Sequence, residues 1–398
     1  MKHIYLDNSA TTQPSSEVIL EVKKVMEQNW GNPSSVHSFG QDARTVLDQS
    51  RRKVAKFLNC REDEIIFTSG GSESDNLALR GVVEGYIKKN ELKTGKLPHI
   101  ITSMVEHHAV LHTVEEMESQ GLIATTYLKP DQNGIISADQ IEAAICDNTI
   151  LVSLIYVNNE TGVITPIKEI GERLKNINSD RKDRIFFHTD AVQAVEYLNI
   201  VPEMLNVDLL TIAAHKFHGP RGVGVLYVRK GIPIRSQISG GDQEFRMRAG
   251  TENVAAIAGM AKALHQIESR ESLITNQVAE LRNRLEAGIA ASISDAIING
   301  VGANRAPHIS NVSFLNAEGE AIILNLDFLG IAVSSGSACT SRSLSPSHVL
   351  SAMGIPPEKA HGSIRFSLSH ETTIEEIDEV LRVLPGIIKN LREMSPFK

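Results

Sequence analysis

Between residues 64 and 228, short continuous runs of apolar residues alternate with stretches whose apolar positions recur every three or four residues. The runs EIIFTSG (64–70), HIITSM (99–104), TILVSLIYV (149–157), RIFFHTD (184–190), DLLTIAA (208–214) and VGVLYV (223–228) read as strands buried on both sides. The stretches 42–57, 73–89, 109–120, 138–145 and 167–178 read as helices. In the last, Ile167, Ile170, Leu174 and Ile177 fall on one helical face. Strands of this kind separated by helices predict a largely parallel sheet covered on both faces. The pattern changes after about residue 251. Long helices fill 251–290, followed by a strand at 308–315, a helix near 318–330, a strand at 363–369 and a terminal helix from about 373. The pattern predicts a large α/β domain followed by a smaller α+β domain.

Composition narrows the function class. In 398 residues, 40 basic side chains face 48 acidic ones, a net charge of −8, which disfavours nucleic acid or an anionic membrane surface as the main partner. No window approaches the roughly 18 consecutive apolar residues of a membrane span. The opening MKHIYLDNSATT lacks an apolar signal core and an Arg/Ser-rich transit character, so the mature chain is expected to start there, in the cytoplasm. The three cysteines, Cys60, Cys146 and Cys339, lie far apart without CxxC or Cys/His spacing, which argues against a disulfide framework and a structural zinc site. The 14 histidines also lack ligand spacing.

Open α/β sheets bind ligands at the carboxyl ends of their strands. TSGGSESDN, EHHAV, VNNETG, HTDAVQ and AAHKFHGP each follow an expected strand, so five strand ends carry polar groups. Gly71 and Ser72, at a helix start, suit a phosphate, although Ser72 would serve equally as an ordinary cap. Asp190 either caps a following helix or faces a cationic group; Gln193 would lie one turn further along on the same side. Lys216 emerges from an apolar strand, where a desolvated amine becomes a Schiff-base nucleophile. A phosphorylated aldehyde would use all of these parts, and pyridoxal phosphate needs such a lysine plus a carboxylate for its ring nitrogen. Of the adjacent His107 and His108, at most one is expected to face a shared site. Cys339 sits in SSGSACTSRS (334–343), a polar, pliable stretch with Arg342 nearby, which reads either as a surface loop or as a mobile reactive thiol.

Taken in order, YLDNSATT (5–12), GNPSSVHSFG (31–40), FTSGGSESDN (67–76), VNNETGV (157–163), HTDAVQ (188–193), AHKFHGPRG (214–222), RAGTEN (248–253), SSGSACTSRSLSPSHVL (334–350) and SIRFSL (363–368) resemble the cysteine desulfurases of the NifS/IscS type. The resemblance spans nearly the whole chain. It implies an aspartate-aminotransferase-like fold (pyridoxal-phosphate fold type I). A mostly parallel seven-stranded sheet would lie in a large domain over 15–260, with a smaller α+β domain formed by 1–14 and 261–398.

The resemblance also assigns roles. Lys216 would bind pyridoxal 5'-phosphate covalently, and His107 would stack on its ring and move protons. Asp190 would pair with the ring nitrogen, while Gln193 and Asn159 contact the phenolic oxygen region. Gly71, Ser72 and His215 would hold the phosphate, joined by Thr251 from a partner subunit, which implies a homodimer. Arg365, with Asn159, would bind the carboxylate end of L-cysteine. Cys339 would take the substrate's sulfur as a persulfide, leaving L-alanine, and pass it to an acceptor such as an iron–sulfur scaffold or a tRNA thiolase. It would meet metal only transiently, in a cluster on that scaffold. Two departures stand out: Ala213 replaces a serine found in many relatives, and the chain ends at LREMSPFK, where some relatives continue into a scaffold-docking tail. The rivals are another pyridoxal-phosphate enzyme of the same fold, such as an aminotransferase or a selenocysteine lyase, and a non-catalytic protein that binds a phosphorylated ligand or ferries sulfur.

Overall fold

The computed structural model describes residues 3–90, 96–268, 271–335 and 346–394. In chain order, β1 is Ile4–Tyr5, α1 Ser16–Gln28, α2 Ser38–Phe57, β2 Ile65–Thr68, α3 Gly71–Asn90, β3 His99–Ser103, α4 His108–Ser119, β4 Ala124–Leu128, α5 Ala138–Ala144, β5 Thr149–Ile155 and α6 Ile167–Ser179. There follow β6 Phe186–Asp190, α7 Pro202–Leu205, β7 Leu209–Ala213, β8 Gly224–Val228, α8 Val254–Glu268, α9 Glu271–Ser292, β9 Ala296–Ile298 and β10 Ile309–Phe314. The remainder comprises α10 Gly319–Phe328, β11 Ile331–Ala332, α11 His348–Ala352, α12 Pro357–Ala360, β12 Ser363–Ser367 and α13 Ile374–Met394.

The principal sheet has seven strands in the order β2-β8-β7-β6-β5-β3-β4, in which β8 alone runs antiparallel to its neighbours. This is the sheet implied by the resemblance. Successive strand residues face opposite layers. Phe67, Ile101, Val152, Phe187, Leu210 and Val225 join a core with α2, α5, α6 and α8. Ile66, Ile100, Leu151, Phe186, Leu209 and Leu226 pack against α3 and α4. Burial on both faces is why these strands read as unbroken apolar runs.

A three-stranded antiparallel sheet, β12-β10-β9, packs with α9, α10 and α13 around Val312, Phe314, Ile364, Phe366, Leu285 and Leu384. Ile4 and Leu6 join this core, and β1 pairs in parallel with β11. From there the N-terminal segment crosses to β12, where Asn8 N donates to Ser367 O, and reaches the Lys216 loop, where Thr12 N donates to His215 O. The expected division at 260/261 falls within α8, whose Ala263, Leu264 and Ile267 pack in the larger core. Among the described residues, no helix is long and apolar enough to cross a membrane.

One local expectation is corrected. Residues 192–197 form consecutive turns, so no helix follows Asp190 for it to cap. Asp190 Oδ1 instead accepts from Val192 N at 3.0 Å, which tightens the turn.

Candidate active site

A cavity of about 310 Å³ opens at the carboxyl ends of β2, β3, β5, β6 and β7. It is closed by Ser9 and Ala10 of the N-terminal segment, by His348 at the start of α11 and by Arg365 of β12. Gly71, Ser72, His107, Asn159, Asp190, Gln193, His215, Lys216 and Arg365 all line it. Thr251 does not. It is exposed, at the position that the resemblance assigns to contact with a second subunit. Cys339 and Arg342 lie outside the described residues.

The β2–α3 turn offers the anion site. The helix starts at Gly71, which puts Ser72 inside its first turn instead of at the cap. The N–H groups of Gly71 and Ser72 are too early in the helix to have an intrahelical acceptor, and the positive end of the helix dipole points the same way. Gly224 of β8 holds this turn close: a Cβ there would lie 2.7 Å from the Gly70 carbonyl carbon and 2.9 Å from Ile212 O. Ala213 presents only a methyl group to the cavity, so the serine hydroxyl implied by the resemblance has no counterpart on this residue.

Lys216 ends a short turn, Ala214–Lys216, directly after β7. Its Nζ donates to Ser9 O at 2.6 Å and Ala10 O at 2.9 Å. Across the cavity floor, burial pushes Asp190 up to about 6, against the pull of the Val192 N–H and the Lys216 charge. Beneath it, burial and then the Asp190 charge push Asp75 well above the usual carboxylate range. Burial also pushes Glu106 up to about 8. A buried acid in such a setting gains most from a cationic partner, as a protonated pyridine nitrogen would be.

His107 caps α4: its Nδ1 accepts from Ala109 N at 3.1 Å, so the neutral ring carries its proton on Nε2. Burial, then the Lys216 charge, lowers it to about 4, which keeps a neutral, flat ring over the floor. The expectation that only one of the paired histidines faces the site is corrected. His108 also lines the cavity, because the cap residue and the first helical residue sit at a bend between extended and helical backbone. Its ring stacks on His112 at 4.4 Å and lies 4.5 Å from that of His348. His215 is lowered to about 4 by burial and by Lys216, with Nδ1 3.3 Å from Thr11 Oγ1. Gln193 Nε2 donates to Ser9 O at 2.8 Å.

Arg365 is almost fully buried on β12. It donates from Nη1 to Asn159 O at 2.9 Å and from Nη2 to Asp7 Oδ1 at 2.8 Å. Its Nε has no hydrogen-bond partner among the described residues. The chain on either side of 336–345 is pinned to this wall. Ser334 exchanges backbone hydrogen bonds with Arg365, and Ser347, the cap of α11, donates to the buried Glu160.

The model of the family described as "Aminotransferase class-V" matches residues 4–380. This chain belongs to the class-V aminotransferase family. Within that family, close relatives are cysteine desulfurases. A protein of that activity from Clostridium botulinum, cysteine desulfurase IscS, is 47% identical over 397 residues, covering 99% of this chain and 96% of its own. The namesake from Dictyoglomus turgidum is 46% identical, covering 100% and 97%. Among solved structures, a NifS-like protein superposes with a TM-score of 0.88 at 35% identity, covering 98% of this chain and 100% of its own. SspA, solved in complex with cysteine, gives 0.80 at 32%, covering 93% and 100%.

The family depends on pyridoxal 5'-phosphate, and the donor set here fits that group. An amine, a buried carboxylate, a neutral imidazole and an open helix N-terminus surround one cavity. Reading the sequence missed the main-chain carbonyls of Ser9 and Ala10, and with them Asp75, Glu160 and His348. The carbonyls carry no side-chain signature. Asp75, by contrast, lies inside the quoted SGGSESDN, where an acid in the first turns of a helix facing a sheet was a usable signal.

Proposed function

We propose that this desulfurase takes L-cysteine, releases L-alanine and holds the removed sulfur as a persulfide on Cys339 for delivery to an acceptor protein. The observation that carries the reading is the convergence of Lys216, Asp190, His107 and Arg365 on one cavity, in a chain that closely resembles cysteine desulfurases throughout. SspA, solved with cysteine, lends support to the substrate assignment.

Lys216 would hold the cofactor's carbonyl carbon, Asp190 its ring nitrogen, His107 its ring face, Gln193 and Asn159 its phenolic edge, and Gly71, Ser72 and His215 its phosphate. When bound, the cofactor supplies an electron sink that makes the substrate's Cα–H acidic and its C–S bond cleavable. Arg365 would grip the substrate carboxylate through donors left over from Asp7 and Asn159, which fixes the amino acid's orientation. The carbonyls of Ser9 and Ala10 aim the Lys216 amine at the cavity, where it can take the Cα proton. His107, with its proton on Nε2, can give that proton to a leaving group and recover it. The Cys339 thiolate would attack the substrate sulfur, forming an S–S bond as the C–S bond breaks. The released electron pair ends in a C–H bond of alanine.

Thr251 would complete the phosphate site of a second copy in a homodimer, with the larger unit running from about 15 to the end of α8 and the smaller one formed by 1–14 and the rest of the chain. The absence of an apolar spanning helix among the described residues is consistent with the cytoplasmic location we infer. An iron–sulfur scaffold or a tRNA thiolase is the inferred acceptor. The test uses Cys339→Ala in the cofactor-loaded protein. It is expected to bind cysteine with a changed absorption spectrum yet release neither alanine nor sulfide, while the unaltered protein gains one sulfur at residue 339 by mass spectrometry. Full alanine production by the variant would overturn the reading.

A further inference from the structure

Behind the cavity wall, three side chains from distant parts of the sequence meet. We propose that Glu196, His218 and His370 form a binding site for one divalent transition-metal ion, zinc foremost. The proposal does not depend on the function argued above.

The ligand atoms of the three residues all lie within 4.8 Å of one another. Glu196 Oε1 is 2.7 Å from His370 Nδ1, and Glu196 Oε2 is 3.7 Å from His218 Nε2. A tetrahedral zinc ion with bonds of about 2.0–2.1 Å sets its ligand atoms roughly 3.3 Å apart, so the two spacings bracket what the ion needs. Two imidazoles and a carboxylate form a borderline N/O set that suits zinc.

His218 makes the decisive observation. Its Nδ1 lies 2.8 Å from the carbonyl oxygen of Gln13, so Nδ1 carries the hydrogen. In the neutral ring Nε2 is then a bare lone pair, and it is buried with no hydrogen-bond partner among the described residues. It faces a carboxylate oxygen at 3.7 Å, too far for an N–H to donate well and unfavourable for two lone pairs. A cation between them resolves both. An imidazole whose second nitrogen donates to a carbonyl is the usual outer support of a metal-bound histidine. The ring is held in place: His218 N donates to Thr12 Oγ1 at 2.6 Å, and its backbone sits at φ +62, in the left-handed region. The His370 side chain is 16% exposed, against 6% for His218 and 7% for Glu196, so an ion and a fourth water ligand have a way in.

Each ligand is a near neighbour in sequence of a cavity residue: Glu196 of Gln193, His218 of Lys216, and His370 of Arg365. The ion would therefore clip together three segments that form the cavity from behind, as a structural metal does.

The test titrates cobalt(II) into the cofactor-loaded full chain. One equivalent is expected to bind with the visible d–d bands of a tetrahedral N/O site, without thiolate charge-transfer absorption, and to raise the thermal midpoint. Glu196→Gln, nearly isosteric, is expected to weaken binding by about tenfold or more, and His218→Phe to abolish it. Each variant is checked for an unchanged cofactor spectrum, and if His218→Phe fails to fold, His370→Gln takes its place. No saturable uptake up to millimolar cobalt, uptake that survives all of these substitutions, or a thiolate band would each overturn the proposal.

Discussion

Replacing Arg365 by lysine isolates geometry from charge. Arginine carries five N–H donors in a rigid fork, of which one goes to Asn159 O at 2.9 Å and one to Asp7 Oδ1 at 2.8 Å. The buried Nε and the remaining terminal hydrogens are left for a substrate carboxylate, which accepts two parallel bonds. A lysine ammonium keeps the charge but gathers three donors on one atom. It cannot satisfy Asp7 and grip a carboxylate with two bonds together. The loss of one charge-assisted hydrogen bond is worth about 1.5–3 kcal/mol, or roughly 10- to 150-fold in affinity. Because the carboxylate takes no part in bond making, it is held equally before and during reaction. The loss should therefore fall on KM and leave kcat within about threefold. The assay measures initial rates of alanine release against cysteine concentration, after confirming equal cofactor loading and a similar thermal midpoint. A KM within twofold of the parent, or a fall in kcat at unchanged KM, would refute this placement of Arg365.

Borohydride reduction should fix the cofactor to a peptide containing Lys216, and Lys216→Ala should lose that label while still binding the cofactor reversibly; a label on another lysine in the parent would refute the assignment. Glu106 is pushed up to about 8 by burial from a reference of 4.5, so between those values the folded chain holds a proton that the unfolded chain lacks. Its contribution to stability therefore falls as pH rises through that window, by at most about 1.4 kcal/mol per pH unit. Glu106→Gln removes the decline, and its urea midpoint should gain on the parent between pH 5 and pH 8; parallel curves would sink the argument. The buried histidines, such as His188 at about 3, act in the opposite sense below the usual imidazole range, and the comparison cancels them. Finally, Arg51 and Glu244 form a buried pair at 2.6 Å, with Glu244 Oε2 also accepting from Phe67 N at 2.9 Å. Glu244→Gln should cost about 3–5 kcal/mol in urea unfolding by leaving the guanidinium uncompensated, and a loss under about 1 kcal/mol would contradict it.

What was legible in the sequence follows from how each element is buried. β2, β3, β5, β6, β7 and β8 are covered on both faces and stand out as apolar runs. The edge strand β4, ATTYL, is mostly half-exposed and lacks such a run, so its place in the sheet was not visible. Helix α1 was missed although Ser15 caps it by accepting from Val18 N, because its exposed Ile19, Leu20 and Met26 blur the apolar stripe. The turn after Asp190 reads like a helix start by spacing alone, and the Asp190–Val192 contact would suit either; only the run of turns over 192–197 shows that no helix follows. Side chains that converge through the parallel strands were readable because strand ends are ordered by topology. The cluster of Glu196, His218 and His370 was not, since their spacing reflects folding between distant segments.

The N-terminal segment offers a final consequence. Within four residues it supplies Asp7 to Arg365 and the carbonyls of Ser9 and Ala10 to Lys216. Two cavity groups, one just beyond β7 and one on β12, thus take their positions from a single short ruler. An insertion between Asp7 and Ser9 would change the distance between them directly without substituting any residue of the cavity.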